Sequence, residues 1–318
     1  MRGFAAWVMR SRTHAISATA LAMFLAQIFA PLALVSFAVV ALTTLRVGVR
    51  DGGLVLLGGF TLTSAVVALF VSLGVFPISF EAAIWSLSKY LYVWVPVWLL
   101  ASFLRVTRSM PKTVCLAGGF SALAIGVLYL ATGNPVTMWL ENWTQFFSML
   151  EQADPQLDQT MVDQQVQALA HMSTSVMATS LFYLFALTLF LARWWQALLY
   201  NPGGFQGEFH QLRAPVMLVV VAAILMVTTF LPVGIVAQVA NDILLLLSSV
   251  FMLFGLALVH AYVKAKNGHK GWLIAVYVAL ILPFGGAVVS MLGAADTVLD
   301  LRRRFTPLGQ GAGNSPRD

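Results

Sequence analysis

Long apolar tracts alternate with short polar segments along most of the chain. The clearest tracts are 53–74, 82–104, 114–132, 173–192, 216–237 and 243–263. An apolar stretch of this length predicts a transmembrane helix, because about 20 residues of α-helix cross the hydrocarbon core of a bilayer. The apolar runs are continuous and do not alternate in short strands, which excludes a transmembrane β-barrel. The pattern therefore predicts an all-α, polytopic transmembrane helical bundle.

Two further apolar tracts, 16–45 and 272–301, lie near the ends of the chain and are too long for one ordinary crossing. A straight helix of about 30 residues is about 45 Å long, against a hydrocarbon core of about 30 Å. Each tract has helix breakers near its middle, which are Pro31 in the first and Pro283, Gly285 and Gly286 in the second. We therefore expect a short helical hairpin at each end, and about eight to ten membrane helices in all.

The loops between the tracts differ in charge. Loops 75–81, 133–172 and 238–242 contain no Lys or Arg, whereas the alternate loops are basic. The long loop 133–172 instead carries the acidic residues Glu141, Glu151, Asp154, Asp158 and Asp163. Because cytoplasmic loops of membrane proteins are rich in Lys and Arg, the basic loops and both termini are predicted to be cytoplasmic, and the acidic insert is predicted to lie outside.

Composition supports a membrane protein and narrows the chemistry. Hydrophobic residues make up 60% of the chain and charged residues 9%, against roughly 25% charged residues in soluble domains. The net charge of +6 would suggest nucleic acid for a soluble protein, but here the basic residues flank apolar tracts. The lipid bilayer is therefore the predicted partner, and no nucleic acid is expected. Cys115 is the single cysteine, which excludes a disulfide within the chain.

The tracts and loops predict a single transmembrane domain over residues 1–304, followed by a disordered tail at 305–318. It includes the outer-face insert 133–172 and a cytoplasmic loop, 193–214. The insert has bulky apolar residues at helical spacing, which are Trp139, Trp143, Phe146, Phe147 and Leu150. This spacing predicts an amphipathic helix on the outer membrane face.

The sequence lacks the enzyme motifs that we sought. It has no His-Glu-x-x-His, no Gly-x-Ser-x-Gly and no Gly-rich phosphate loop ending in Gly-Lys-Ser/Thr. The histidines are scattered, and Glu208 and His210 are two residues apart, a spacing that does not share one helical face. We therefore expect a protein that is not an enzyme, with no catalytic residue, no metal and no cofactor.

Lys89 is a charged residue inside the second apolar tract, on a helical face with Trp85, Ser88 and Tyr92. A charge at the centre of a span costs about 2.5–3.5 kcal/mol on insertion scales and is a functional-site hypothesis by default. One interpretation is that Trp85, Lys89 and Tyr92 bind an anionic or aromatic small molecule. The other is that the long lysine side chain extends to the outer interface. Asp242 either joins this site by pairing with Lys89 or caps its own helix.

Asp296 and Asp300 are spaced i,i+4 and are followed by Arg302, Arg303 and Arg304. A carboxylate pair in a short membrane helix would suit a proton or cation relay. The structural alternative, which the spacing favours, is an ion pair of Asp300 with Arg304 four residues later.

A ladder of small residues at four-residue spacing occurs in the first end tract, with the members Ala18, Ala22, Ala26 and Ala30. Small residues let helices approach closely. The ladder either packs within the protein or forms an interface with a partner protein.

The cytoplasmic loop contains RWWQALLYNPGGFQGEFHQLR at 193–213. Its Asn-Pro-Gly-Gly sequence at 201–204 predicts a turn that ends the preceding helix. A short amphipathic helix is expected over 205–213, either resting on lipid or receiving a partner protein. The candidate partner-interface residues on it are Glu208, His210 and Arg213.

Three stretches resemble the YybS-like family of bacterial inner-membrane proteins, namely 193–213, LALVHAYVKAKNGHKGW at 256–272 and DTVLDLRRR at 296–304. That family, of unknown function, is similar in fold to the S components of energy-coupling-factor transporters. Those components bind a vitamin or metal ion and work with a transmembrane coupling subunit and two ATPases. The resemblance implies a multi-pass protein of the bacterial inner membrane in which Ala18, Ala22 and Ala26 contact the coupling subunit. The long outer insert and the end hairpins depart from that pattern.

Two functional hypotheses follow. The first is an S-component-like protein that binds an unknown small-molecule ligand near Trp85, Lys89 and Tyr92 and transports it with partner subunits. The second is a non-transporting membrane scaffold or regulator that acts through its cytoplasmic loop and C terminus.

Overall fold

The chain is helical, and the described residues contain no β-strand. The computed structural model describes residues 1–76, 78–153, 158–232, 234–269, 271–282 and 284–305. The helices are α1 (Arg2–Val8), α2 (Arg12–Ala26), α3 (Leu32–Arg46), α4 (Val49–Ser72), α5 (Phe80–Ser88), α6 (Leu91–Thr107), α7 (Met110–Thr132), α8 (Pro135–Ala153), α9 (Gln159–Tyr200), α10 (Gly204–His210), α11 (Val216–Thr228), α12 (Gly234–Ala265), α13 (Gly271–Ile281), α14 (Gly285–Leu299) and a final 3₁₀ helix, Leu301–Arg304. The predicted all-α class is therefore confirmed.

Five segments of the described chain have the length and hydropathy of a membrane span. They are α4, the pair α5–α6 as Phe80–Thr107, α7, α9 and α12. A sixth span is formed if α13 and α14, bent by 117° at the break between them, are counted together. These helices suggest a multi-pass membrane protein. The predicted eight to ten membrane helices stay a prediction, because α3 and α11, with 15 and 13 residues, are short for a crossing.

The predicted apolar tract 216–237 does not form one helix, which corrects the sequence-based interpretation. α11 ends at Thr228, and α12 begins at Gly234. Pro232 lies in the gap between them. Proline has no N–H to donate, and its ring disfavours the helical conformation of the residue before it, so the first helix ends early.

Both end tracts are divided near their predicted breakers. The first forms α2 and α3, which pack on each other, and the Ser36 hydroxyl of α3 donates to the Thr19 carbonyl of α2 at 2.9 Å. The second forms α13 and α14. Pro283 lies outside the described residues, but Gly285 shows how tight this turn is, because an added Cβ there would lie 1.7 Å from the Ala279 carbonyl oxygen.

The chain forms two compact units, each built from two segments of sequence. Unit 1 comprises residues 1–120 and 181–208, and unit 2 comprises 121–180 and the chain from 209 onward. The single transmembrane domain expected over 1–304 stays a prediction. The expected tail lies outside the described residues from position 306.

Small residues allow close helix approaches within unit 1. Gly59 of α4 lies against Thr19 of α2, so that an added Cβ would come within 2.4 Å of the threonine side chain. Gly52 of α4 lies in the same way against Thr44 of α3. Arg105 of α6 donates to carbonyl groups at the end of α3, at a shortest distance of 2.7 Å. These bonds satisfy acceptors that the helix end leaves free.

In unit 2, the backbones of α12 and α14 approach each other closely. An added Cβ on Gly255 would lie 2.0 Å from the Val289 carbonyl oxygen, and one on Gly293 would lie 2.1 Å from the Phe251 carbonyl oxygen. The two backbones are therefore in direct contact, which only glycine permits at these positions. This crossing holds Asp296, on the next turn of α14, close to α12.

The outer insert is a helical hairpin. The predicted amphipathic helix is present as α8, and its aromatic face packs on α9: the indole N–H groups of Trp139 and Trp143 donate to the hydroxyls of Thr174 and Ser173 at 3.0 and 2.8 Å. The second half of the insert is the first part of α9, which begins at Gln159 and continues into the fourth apolar tract.

Candidate functional site

The residues around Lys89 lie on an open surface. Trp85 and Tyr92 are 65% and 72% exposed, and Lys89 is exposed as well. They lie where α5 ends and α6 begins, at a tight turn in which the Tyr92 N–H donates to the Lys89 carbonyl. An exposed lysine beside aromatic side chains is typical of a membrane interface, where the ammonium group reaches water. This geometry fits the extended-lysine interpretation and shows no enclosed ligand site among these residues.

Asp242 is placed differently from both sequence-based alternatives. It lies about two turns inside α12, which begins at Gly234, so it does not cap the helix. Lys89 belongs to unit 1 and Asp242 to unit 2. The partner that Asp242 has is instead Tyr129 of α7, whose hydroxyl donates to Oδ2 of the carboxylate at 2.9 Å. Asp242 is only 4% exposed.

Polar groups from three helices surround this carboxylate. Besides Tyr129 of α7, Ser175 of α9 is buried and within hydrogen-bonding reach. His171, one turn earlier on α9, is close enough to act on the carboxylate through its charge. Gln238, one turn before Asp242 on α12, has a buried side-chain oxygen with no hydrogen-bond partner. We call Asp242, its partners Tyr129 and Ser175, and Gln238, which is grouped with them only because it shares a helical face with Asp242, the Asp242 cluster.

Further hydroxyl side chains lie along α9 and α12, beyond the Asp242 cluster. Thr179 follows Ser175 by one helical turn, and Ser249 follows Asp242 by two, so each shares a face with its predecessor. The hydroxyls of Thr179 and Ser249 are 3.4 Å apart. The facing surfaces of two membrane-length helices therefore carry several polar groups in succession, beginning at the buried carboxylate.

The polar side-chain atoms of the Asp242 cluster are mostly oxygens. An ionised carboxylate, hydroxyl groups and an amide oxygen can accept a proton or coordinate a hard cation. The ion pairs found in the described chain do not include Asp242. The same residues contain no group of three or more His, Cys, Asp or Glu side chains arranged to hold a metal ion. The arrangement thus suits a proton or a cation bound by mixed oxygen ligands.

Sequence reasoning identified Asp242 but missed Tyr129 and Ser175. A signal for them was present in the predicted topology. Tyr129 lies at the predicted outer end of 114–132, and Ser175 lies at the predicted outer end of 173–192. Asp242 directly precedes the outer end of the sixth tract, so all three lie at a similar predicted depth. A buried carboxylate at that depth needs hydrogen-bond partners, and Tyr129 and Ser175 are among the polar side chains at the same depth.

The loop 193–214, predicted to be cytoplasmic, has the expected turn and a shorter helix than expected. α9 ends at Tyr200 and α10 begins at Gly204, with Gly203 between them at φ 84°. α10 ends at His210, before the expected end at 213. The two oxygens of the Glu208 carboxylate accept hydrogen bonds from Nε and Nη2 of Arg193, at 2.8 and 2.5 Å. This carboxylate is therefore engaged within unit 1.

Two arginines form hydrogen bonds that link the segment after α10 to the end of α14. Arg213 donates to the Asp300 carboxylate at 3.0 Å and to the Asp296 carbonyl at 2.8 Å. Arg302 donates to the Asp296 carboxylate at 2.9 Å and to carbonyl groups of the segment, including that of His210. The side chains of Glu208 and Arg213, two of the three candidate interface residues on this loop, are thus engaged by contacts within the chain.

The predicted pairing of Asp300 with Arg304 is not formed. α14 ends at Leu299, and Asp300 adopts the left-handed conformation with φ 47°, so the i,i+4 geometry is lost before Arg304. Asp300 instead pairs with Arg213 at 3.0 Å and with Arg303 at 2.5 Å. The DTVLDLRRR stretch therefore links the end of α14 to the segment that follows α10.

Three of the four members of the alanine ladder are packed inside unit 1, whereas Ala30 is exposed after the end of α2. Ala18, Ala22 and Ala26 are 3%, 7% and 3% exposed. Their helix, α2, packs on α3 and α4. This packing favours the first of the two sequence-based alternatives, and a partner interface at these three residues stays a prediction. The small residues of the ladder serve the close helix packing within the chain.

Comparisons of this chain with protein-family models, with curated proteins and with solved structures found no match. The resemblance to the YybS-like family therefore stays a prediction. The geometry described above is the basis for a functional proposal.

Proposed function

We propose that this chain is a multi-pass membrane protein that binds a small cation at the Asp242 cluster and moves it across the membrane, the cation being an inorganic ion, an organic amine or a proton. The supporting observation is the carboxylate of Asp242. It is 4% exposed, it lies on a helix of membrane-spanning length, and its described hydrogen-bond partners are hydroxyl groups.

The energetic argument starts from the cost of the charge. A buried charge without a counter-charge is costly, and ionisable residues within membrane helices are therefore rare outside ion and substrate pathways. A bound cation or proton removes this cost by neutralising the charge. Tyr129, Ser175 and the unpartnered oxygen of Gln238 would supply further oxygen ligands to the same cation.

This proposal keeps the small-molecule binding and transport expected from the S-component resemblance and changes the location of the site. The earlier candidates Trp85, Lys89 and Tyr92 favoured an anionic or aromatic ligand, whereas a carboxylate favours a cation. A coupling subunit and ATPases stay predicted partners. The scaffold hypothesis relies on Glu208, His210 and Arg213, and the internal bonds of Glu208 and Arg213 count against a free docking surface there.

The test is a binding screen with the purified protein in a neutral detergent. Thermal unfolding would be recorded with Na⁺, K⁺, Mg²⁺, choline and putrescine, and proton binding would be measured by calorimetry between pH 5 and 8. A ligand at 100 times its Kd stabilises the folded state by about 2.7 kcal/mol. We expect at least one of these cations, or the proton, to bind with a stoichiometry of one, and the variant Asp242→Asn to abolish that binding.

The matched control is Glu141→Gln, which neutralises an exposed carboxylate of unit 2. It should bind as the unchanged protein does. The proposal would be overturned if none of the probes bound, or if Asp242→Asn bound the active probe as tightly as the control. A bound probe should then be tested for Asp242-dependent uptake into proteoliposomes.

A further inference from the structure

A second group of polar residues lies at the opposite end of α12, far along the helix from Asp242. His260 and Lys264 are on successive turns of α12, His210 ends α10, and Tyr277 comes from α13. The His260 Nε2 atom and the Tyr277 hydroxyl are 3.0 Å apart, and the His210 and His260 rings are 6.3 Å apart. We call His210, His260, Lys264 and Tyr277 the His260 cluster. It is separate from the Asp242 cluster and does not depend on the function proposed for it.

The His260 cluster has an excess of positive charge. Burial lowers the pKa of His210 below its usual 6.5, and the neighbouring positive charges of Lys264, His260 and Arg302 lower it further. These groups are therefore close enough to repel one another. The carboxylates of Asp296 and Asp300 do not neutralise this positive charge, because each is already paired with arginine. In the part of the chain that the structure describes, Lys264 forms no ion pair.

The hydrogen-bond pattern leaves donors available for an anion. When Nε2 of His260 accepts the Tyr277 hydroxyl hydrogen, the neutral ring carries its hydrogen on Nδ1. The described residues give Nδ1 no hydrogen-bond partner. Lys264 is exposed and adds an ammonium group one turn along the same face of α12. A phosphate group matches such a set, because its oxygens accept hydrogen bonds and its charge complements the cluster.

The surroundings indicate where that phosphate group comes from. The cluster lies at the end of α12 that the loop charges predict to be cytoplasmic, where Lys266 follows. Trp272 and Tyr262 nearby in sequence are 68% and 49% exposed, as expected of aromatic residues at the level of lipid headgroups. Basic groups between helices at this level recognise anionic lipid headgroups. We propose that the His260 cluster binds the phosphate group of an anionic phospholipid.

The experiment is lipid titration of the purified full chain followed by native mass spectrometry. Phosphatidylglycerol and phosphatidylcholine would be added in separate series, and inorganic phosphate would be added in a third. We expect one phosphatidylglycerol to be retained in preference to phosphatidylcholine. Lys264→Gln should weaken that binding about fivefold, the effect of about 1 kcal/mol per cation near an anionic surface. Lys112→Gln, which removes an exposed lysine of unit 1, should leave it unchanged.

The pH dependence provides a second readout. The groups that face His210 are Lys264 and His260 of α12 and Arg302 of the 3₁₀ helix, all positive or able to become so. A bound phosphate relieves their repulsion and favours protonation of His210, so phosphatidylglycerol should bind more tightly at pH 5.5 than at pH 8. This difference should shrink in His210→Gln.

Three results would overturn the proposal. Equal retention of the two lipids would exclude headgroup recognition. Equal losses in Lys264→Gln and Lys112→Gln would show general surface charge instead of a site. Binding of inorganic phosphate without retention of phosphatidylglycerol would exclude the lipid as the source of the phosphate group.

Discussion

Asp242 and Asp296 are two buried carboxylates of unit 2 with opposite surroundings. Asp242 on α12 is 4% exposed, and Asp296 on α14 is 2% exposed. Asp296 accepts a hydrogen bond from the Arg302 guanidinium at 2.9 Å. The same arginine donates to carbonyl groups of the segment that follows α10. Asp242 accepts a hydrogen bond from the hydroxyl of Tyr129 and has no arginine or lysine partner among the described ion pairs.

The difference shows that burial alone does not identify a functional carboxylate. The charge of Asp296 is neutralised inside the folded chain, and the ion pair fastens one segment to another. Asp242 takes part in none of the described ion pairs, and in our proposal its counter-charge is a bound proton or cation. The two carboxylates thus differ in the partner that each has, an arginine for Asp296 and a tyrosine hydroxyl for Asp242, and our proposal rests on that difference.

The largest expected effect comes from removing the partner of Asp296. Arg302→Met should lower the free energy of unfolding by about 3–5 kcal/mol, because it leaves a buried carboxylate without its counter-charge. The measurement is unfolding in detergent micelles, followed by circular dichroism. Arg304→Met is the control, since Arg304 is exposed and the predicted Asp300 pair is not formed. Equal losses in the two variants would contradict a structural role for the Arg302–Asp296 pair.

A smaller effect is expected from the helix crossing that positions Asp296. Gly255→Ala should cost about 1–3 kcal/mol, as overpacking does, because its Cβ would lie 2.0 Å from the Val289 carbonyl oxygen. Gly126→Ala on α7 is the matched control, with no atom within 4 Å of its added Cβ. It should be neutral or slightly stabilising, since alanine favours helix more than glycine does. Similar unfolding midpoints for the two variants would show that α12 and α14 are not in such close contact.

The hydroxyl partner of Asp242 should matter less than the arginine partner of Asp296. Tyr129→Phe removes one hydrogen bond to a buried carboxylate and should cost about 1–3 kcal/mol in the absence of a cation. In an Asp242→Asn background the same change should cost less, because the uncharged amide is cheaper to leave unpaired. Thermal unfolding of the four proteins measures this coupling. Additive effects would mean that the two side chains do not interact.

The smallest effect is expected at Lys89. Lys89→Met should change neither the unfolding midpoint nor cation binding at the Asp242 cluster, because this side chain is exposed. The binding screen described above provides the measurement. A loss of binding in Lys89→Met with normal binding in Asp242→Asn would move the site from unit 2 to the surface that the sequence first suggested.

Much of the secondary structure was predictable from the apolar pattern. The tracts 114–132 and 243–263 fall within α7 and α12, and the aromatic spacing of the insert predicted α8. The sequence-based predictions were wrong where the local backbone conformation ended a helix early. Pro232 divides the tract 216–237, and the left-handed conformation of Asp300 cancels an i,i+4 pair that spacing alone had favoured.

The sequence by itself determined the class of protein, because hydropathy and charge report how each segment partitions between lipid and water. It also determined that Asp242 stands beside an apolar tract. Only the tertiary structure decided what that carboxylate contacts. Tyr129 and Asp242 are 113 positions apart in the chain, and their contact depends on how α7 and α12 pack. Periodicity specifies the face of a helix on which a residue lies, whereas the neighbour of that face depends on packing between helices distant in sequence.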